Sequence, residues 1–234
     1  MTGSIRLFVV SPLAAGTLVA ASPEQAHYLG SVMRRQAGEH VLLFNGTDGE
    51  WRCELTAIRK DRAQFIVLEQ TRPQAPEPEL TLVFAPVKRD ATDLIIEKAT
   101  ELGVSRIAPV FTERTNTARL NLDRLTAIAR EAAEQCERLT VPVIDEPMRL
   151  FDRLGIWPAE LRLSAAIERS NAAPPLPAPG PAALLIGPEG GFTRAELDAL
   201  RRLAFVEPIG LGPRILRAET AVIVGLALLQ LARH

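Results

Sequence analysis

The chain has 234 residues, 47% of them apolar, enough for one large core or two smaller ones, and a formal net charge of −1 that lacks the global basicity of many nucleic-acid binders. Its two cysteines, Cys53 and Cys136, have no partner at metal or redox spacing, which excludes a disulfide framework, a zinc finger and a thioredoxin-type motif. No uncharged run approaches the roughly 18 residues of a membrane span and no signal-type segment opens the chain, so a cytoplasmic location and no metal are expected.

Residues 1–72 read as short strands around one helix. RLFVV opens, a helix is predicted from Pro23 to Arg35, and HVLLF, WRCELTAI and AQFIVLE follow as strands. Ser22 suits the helix cap, Pro23 the first helical position, and Gln25 stands at capping-box spacing. Asn45-Gly46 and Asp48-Gly49 lie between two strand-like runs and favour a hairpin reversal. The segment RPQAPEPE, residues 72–79, breaks every periodicity, which places a domain boundary after residue 72.

Beyond it strands and helices alternate, the pattern of an α/β domain. LTLVFAPV precedes a helix from about Asp90 to Leu102 that Gly103 ends, and SRIAPVF follows. A helix from about Leu122 to Leu139 carries Leu125, Ala129 and Ala132 on one core stripe, ahead of VPVI. LRLSAAI, a proline-rich surface loop at 172–182, and ALLIG come next. Thr193 caps a helix with Glu196 at capping-box spacing, then VEPIGL leads to a final helix from Ala218 whose apolar residues run nearly all round.

Two segments carry chemistry. In ALLIGPEGGFTRAEL an apolar strand runs into Gly187, a glycine pair at 190 and 191, and a capped helix. In IGLGPRILRAET, Gly210 and Gly212 flank Leu211, and two arginines precede a helix. Neither spacing is GxGxxG or a Walker loop, which argues against a dinucleotide-dependent oxidoreductase and a nucleoside triphosphatase. Two glycine-rich loops after successive strands can line one pocket, because ligands in open α/β sheets bind outside the carboxyl ends of the strands.

These segments resemble the signature of the ribosomal RNA small subunit methyltransferase E family. The likeness extends to KRDATDLIIEKATELGVSRIAPVFTERT (88–115), EAAEQCERLTVPVI (131–144) and HYLGSVMRRQAGEHV (27–41), and so to nearly the whole chain. Met33 stands where Leu is expected, and the 172–182 loop is longer than in many members. The resemblance implies a small PUA-like β-barrel domain (1–72) for RNA binding and a SPOUT-type α/β methyltransferase domain (73–234) tied in a trefoil knot. It further implies a homodimer, S-adenosylmethionine as methyl donor, and transfer to N3 of a uridine in 16S ribosomal RNA. The alternative is a protein of the same fold that binds RNA without catalysis.

By the same resemblance, the donor pocket would be lined by Leu163, Ser164, Gly187, Pro188, Glu189, Gly190, Leu211, Gly212, Ile215, Leu216 and Arg217. Uridine N3 must lose its proton while charge spreads onto the flanking carbonyl oxygens. Arg217 is the leading candidate to stabilise that charge, and Arg214 can do the same or contact phosphate. Glu189 and Glu219 are candidates to accept the proton, set against purely structural roles in orienting the loop and complementing the helix dipole. Candidate RNA contacts are Arg6, His27, Arg34, Arg35, Lys88, Arg89 and Arg114, each of which can equally be solvated surface. His27 can also be a satisfied structural histidine.

Overall fold

The computed structural model describes residues 5–116, 119–167 and 180–231. The expected proline-rich loop lies for the most part outside the described residues, as does His234. The chain forms two compact units, one of Met1–Pro76 with Ala133–Val141, the other of Glu77–Ala132 with Pro142–His234.

The first unit contains β1 (Arg6–Phe8), β2 (Leu18–Ala20), α1 (Pro23–His27), β3 (His40–Phe44), β4 (Glu50–Arg59) and β5 (Arg62–Arg72). The strands form one sheet in the order β1-β3-β4-β5-β2, with β1 parallel to β3 and the other pairs antiparallel. Period-two alternation turns Cys53 and Leu55 of β4, and Ala63, Phe65 and Val67 of β5, into a core shared with Val19, Leu29, Val41 and Leu43. The three-residue β2 is too short for periodicity to reveal.

The hairpin between β3 and β4 forms at the expected residues. Asn45 Oδ1 accepts the amides of Thr47 and Asp48 at 3.0 and 2.8 Å, and Asp48 Oδ2 accepts the Leu13 amide at 2.9 Å. Gly49 closes the turn at φ +78°, where a Cβ would lie 2.3 Å from the Arg72 carbonyl oxygen.

The predicted helix from Pro23 to Arg35 is shorter and less regular. Its capping box is present, but α1 gives way at Tyr28 to a π-helical turn, Tyr28–Val32, and Arg34 stands in the left-handed region at φ +52°. Gly30 weakens the helix there and packs against Ile58, whose Cδ1 would be 3.3 Å from an added Cβ.

The second unit contains β6 (Leu80–Phe84), α2 (Arg89–Glu101), β7 (Arg106–Phe111), α3 (Leu122–Gln135), β8 (Val143–Ile144), β9 (Met148–Arg149), α4 (Leu150–Gly155), β10 (Leu163–Ala166), β11 (Ala182–Ile186), α5 (Arg194–Leu200), β12 (Val206–Ile209) and α6 (Ala218–Gln230). Residues 133–135 of α3 belong to the first unit. The helix predicted to Leu139 ends at Gln135, and Glu137 takes φ +62°.

Every strand pair of this unit is parallel, in the order β12-β10-β11-β6-β7-β8 with β9 also on β7. β6 is buried throughout and β11 nearly so, as continuous apolar runs between two covered faces must be. The carboxyl ends of β6, β7, β10, β11 and β12 therefore share one edge of the sheet.

Candidate active site

Three neighbouring strand ends build a cavity of about 440 Å³. β10 contributes Ala166 and Ile167. β11 and its loop contribute Ile186, Gly187, Pro188, Glu189, Gly191 and Phe192. The segment after β12 contributes Ile209, Gly210, Leu211, Gly212, Arg214, Ile215 and Leu216, and α5 and α6 close it with Leu197, Ala218 and Ala221.

Backbone geometry explains the glycines. Gly212 has φ +102°, a conformation that strains any other residue. A Cβ on Gly187 would lie 2.9 Å from Phe192 Cε2, so only glycine lets that ring close against the strand end. The walls combine apolar side chains with one carboxylate, Glu189, and one guanidinium, Arg214, both on exposed residues.

The glycine loop is braced from the neighbouring β7 loop. Glu196, 3% exposed, accepts the Thr193 amide on Oε2 at 2.8 Å and the Glu113 amide on Oε1 at 2.9 Å. Thr193 Oγ1 accepts the Glu196 amide at 3.2 Å, completing the expected capping box. Arg114 Nη1 donates to the Gly190 carbonyl at 2.8 Å, which gives this arginine a partner within the unit. Spacing had flagged Glu196 only as half of a cap. Its second bond joins loops 83 positions apart in sequence, a link that no local pattern reveals.

The structure brings Gly187, Pro188, Glu189, Leu211, Gly212, Arg214, Ile215 and Leu216 to one cavity. Leu163 and Ser164 are buried lower on β10, Leu163 within the apolar core, and that strand's share of the lining is Ala166 and Ile167 at its end. Gly190, Arg217 and Glu219 lie beyond the lining. Arg217 is the exposed N-cap residue of α6, and Glu219 sits half-buried in that helix's first turn. Ile186, Phe192, Ile209 and Ala221 were not foreseen, although the apolar residue after the glycine pair was a usable signal for Phe192.

Among the expected RNA contacts, Arg6 is corrected. It is 8% exposed, with Nε 2.7 Å from Glu50 Oε2. Its Nη1 donates to the carbonyls of Ala133 and Glu134, both at 3.0 Å, and its Nη2 to that of Arg138 at 2.9 Å. The guanidinium also lies 4.6 Å from the centre of the Phe44 ring. Four of its five N–H donors are taken and the side chain is buried, so it presents no open fork to a phosphate. His27 and Arg34 are exposed alongside Tyr28, Val32 and Met33, so His27 is not a core histidine. Arg35 pairs with Glu39 at 3.2 Å, and Lys88 and Arg89 are exposed at the start of α2.

Among the described residues no group of three His, Cys, Asp or Glu could hold a metal, and no helix is long and apolar enough to cross a membrane. The cavity does suit a small organic carrier. Its volume falls in the range of such sites, roughly 300–1,000 Å³, and its glycine-lined floor admits close backbone approach.

Comparison with known proteins agrees with this geometry. Residues 74–230 match the RNA methyltransferase domain family and residues 22–68 the RNA methyltransferase PUA domain. The ribosomal RNA small subunit methyltransferase E of Rickettsia conorii is 34% identical over 97% of this chain and 95% of its own. That of Bacillus subtilis is 33% identical over 87% and 86%. A Neisseria gonorrhoeae ribosomal RNA small subunit methyltransferase E, solved with S-adenosylmethionine bound, superposes with a TM-score of 0.88 at 30% identity, covering 99% of this chain and 98% of the other. A methyltransferase from Legionella pneumophila, solved with the same molecule, gives 0.90 at 30% identity over 99% of both chains. A cavity built from three strand ends, glycine loops at its floor and agreement along the whole chain have one common account: the chain belongs to the ribosomal RNA small subunit methyltransferase E family.

Proposed function

We propose that this chain methylates N3 of a uridine in 16S ribosomal RNA, using S-adenosylmethionine held in the 440 Å³ cavity. The observation that carries the reading is the convergence of both glycine loops on one pocket in a chain of this family. When bound, the donor supplies an electrophilic methyl group, so the protein's task is chiefly alignment and charge control.

Gly187, Pro188, Leu211, Gly212, Ile215 and Leu216 hold the donor through backbone groups and apolar contact, and Glu189 places a carboxylate beside its positive charge. The cavity is filled by the donor, so the uracil approaches from outside it. The exposed Arg217, beyond the lining on the same segment, is available to the uracil carbonyl as N3 loses its proton, with Arg214 at the cavity wall as its neighbour. Glu189, also exposed, is the better placed of the two carboxylates to take that proton, directly or through water, and Glu219 is the alternative. His27, Arg34, Arg35, Lys88 and Arg89 serve RNA binding.

In this reading the second unit is a SPOUT-type trefoil-knotted fold, the first a PUA-like barrel, and the enzyme a cytoplasmic homodimer. The half-buried apolar residues Ile223, Val224, Ala227 and Leu228 of α6 supply a face for the second copy. Incubation with unmodified 16S ribosomal RNA and labelled donor, followed by mapping of methylated uridines, tests the activity. Arg217→Ala is expected to lower kcat by about 10²–10³, the cost of removing one donor to a developing oxyanion, with donor affinity little changed. Failure of the folded wild type to label any uridine overturns the reading.

A further inference from the structure

A second cavity, of about 300 Å³, opens at the carboxyl end of β6. Its wall carries Arg89, Arg119, Arg124, Asn121 and Thr92, and no carboxylate lines it. Arg124 is fixed by an ion pair with Asp93. Its own amide donates to Asn121 Oδ1 at 3.0 Å, which leaves the Asn121 Nδ2 as a further donor. The Thr92 hydroxyl is engaged by the Val87 backbone, at 3.2 Å from the nitrogen and 3.1 Å from the oxygen. Arg89 and Arg119 are exposed and have no acidic partner among the described residues.

Three guanidinium groups around one hollow repel one another, and a single aspartate offsets one of them. Such a ring is stabilised by a multidentate anion, for which arginine's planar fork is suited and a phosphate diester is the matching group. The helix behind Arg89 adds to the effect, because its N-cap residue Lys88 makes no side-chain capping bond to the first-turn amides.

The location gives the anion its identity. Phe84, at the end of β6, pairs with Ile186 at the end of β11, and the Ala85 amide donates to the Ile186 carbonyl at 3.0 Å. The chain thus leaves β6 toward the arginine cavity and leaves β11 toward the donor loop from adjacent positions. Adjacent strands lie only about 4.8 Å apart, so the segments that lead into the two cavities leave neighbouring strand ends on one edge of the sheet.

We propose that the Arg89–Arg119–Arg124 cavity grips a backbone phosphate of the RNA strand beside the target uridine, setting the register in which the base meets the donor. This rests on the function proposed above and adds Arg119, Arg124 and Asn121 to the RNA-binding residues. The test compares wild type with the double variant Arg89→Gln/Arg119→Gln, both changes being at exposed, unpartnered side chains that leave the fold intact by circular dichroism. The expected result is unchanged donor affinity by calorimetry, a KM for 16S ribosomal RNA raised about tenfold at 0.15 M salt, and a log–log salt slope shallower by about 0.7–0.9 for the lost phosphate contact. Arg89→Lys/Arg119→Lys, which keeps the charge, should restore most of the slope.

An RNA KM and salt slope unchanged in the Gln variant, while wild type methylates normally, overturn the proposal and leave the function standing. Wild type that methylates no RNA overturns the function itself. If inorganic phosphate titrates into wild type and not into the variant, yet the RNA KM is unmoved, the cavity takes a free anion and the assignment to the RNA backbone is wrong.

Discussion

Arg6 shows how one side chain can be read correctly for its charge and wrongly for its place. Basic and within the N-terminal domain that the resemblance assigns to RNA binding, it fits a phosphate contact by sequence, yet it is buried with Glu50 and three carbonyl oxygens. Glu50, 4% exposed, also accepts the Thr71 hydroxyl at 3.0 Å, so the pair sits in a satisfied network. Removing one partner of a buried pair strands the other charge, and Arg6→Ala is expected to cost about 3–5 kcal/mol. Urea unfolding checks this, and a loss below about 1 kcal/mol, the worth of an exposed pair, would show the network to be solvated. The cysteines give a second residue-scale test. Cys53 is fully buried, and burial pushes its thiol up to about 12. Because the folded value lies above that of the unfolded thiol, the fold is favoured below the unfolded value and loses this contribution as pH rises from about 9 toward 12. Alkylation of native protein at pH 8 should therefore label the half-exposed Cys136 and spare Cys53 until the chain unfolds.

At the scale of elements, apolar runs and caps were legible because they are local. The buried run of β6, the capping boxes at Ser22 and Thr193, and the two glycine loops all appear in the sequence at their observed places. What was not legible depends on packing. The π-helical turn at Tyr28, the early end of α3, and the wall at Ala166 and Ile167 arise from how elements meet, and so does the assignment of residues 133–141 to the first unit. The Glu196 brace belongs to the same class, and its consequence can be measured. Glu196→Gln keeps one acceptor oxygen and replaces the other with a donor facing an amide, so one of the two bonds to Thr193 and Glu113 must fail. Such a buried loss costs about 1–3 kcal/mol. The cost falls on the loop that carries Gly187 and Glu189, so the donor KM should rise about tenfold while kcat at saturating donor holds. A variant that loses stability with an unchanged donor KM would reduce Glu196 to a helix cap.

At the scale of the whole molecule, the two units divide the labour that the reading requires, and the donor is a ligand of one of them. A molecule that binds only the folded state stabilises it by mass action, about 2.7 kcal/mol at a hundredfold excess over Kd. For a unit of this size that corresponds to a rise in Tm of roughly 5–11 °C. The rise should come from the second unit, because every residue lining the donor cavity belongs to it. Hydrogen exchange distinguishes where the protection falls. Amides of 187–192 and 210–217, which have few regular-structure partners, should slow with donor present, while those of β3, β4 and β5 keep their rates. Filling the cavity with Ala221→Trp should abolish both the Tm shift and the loop protection together. Protection that appeared instead in the first unit's strands would place the donor elsewhere and remove the ground on which the catalytic residues were chosen.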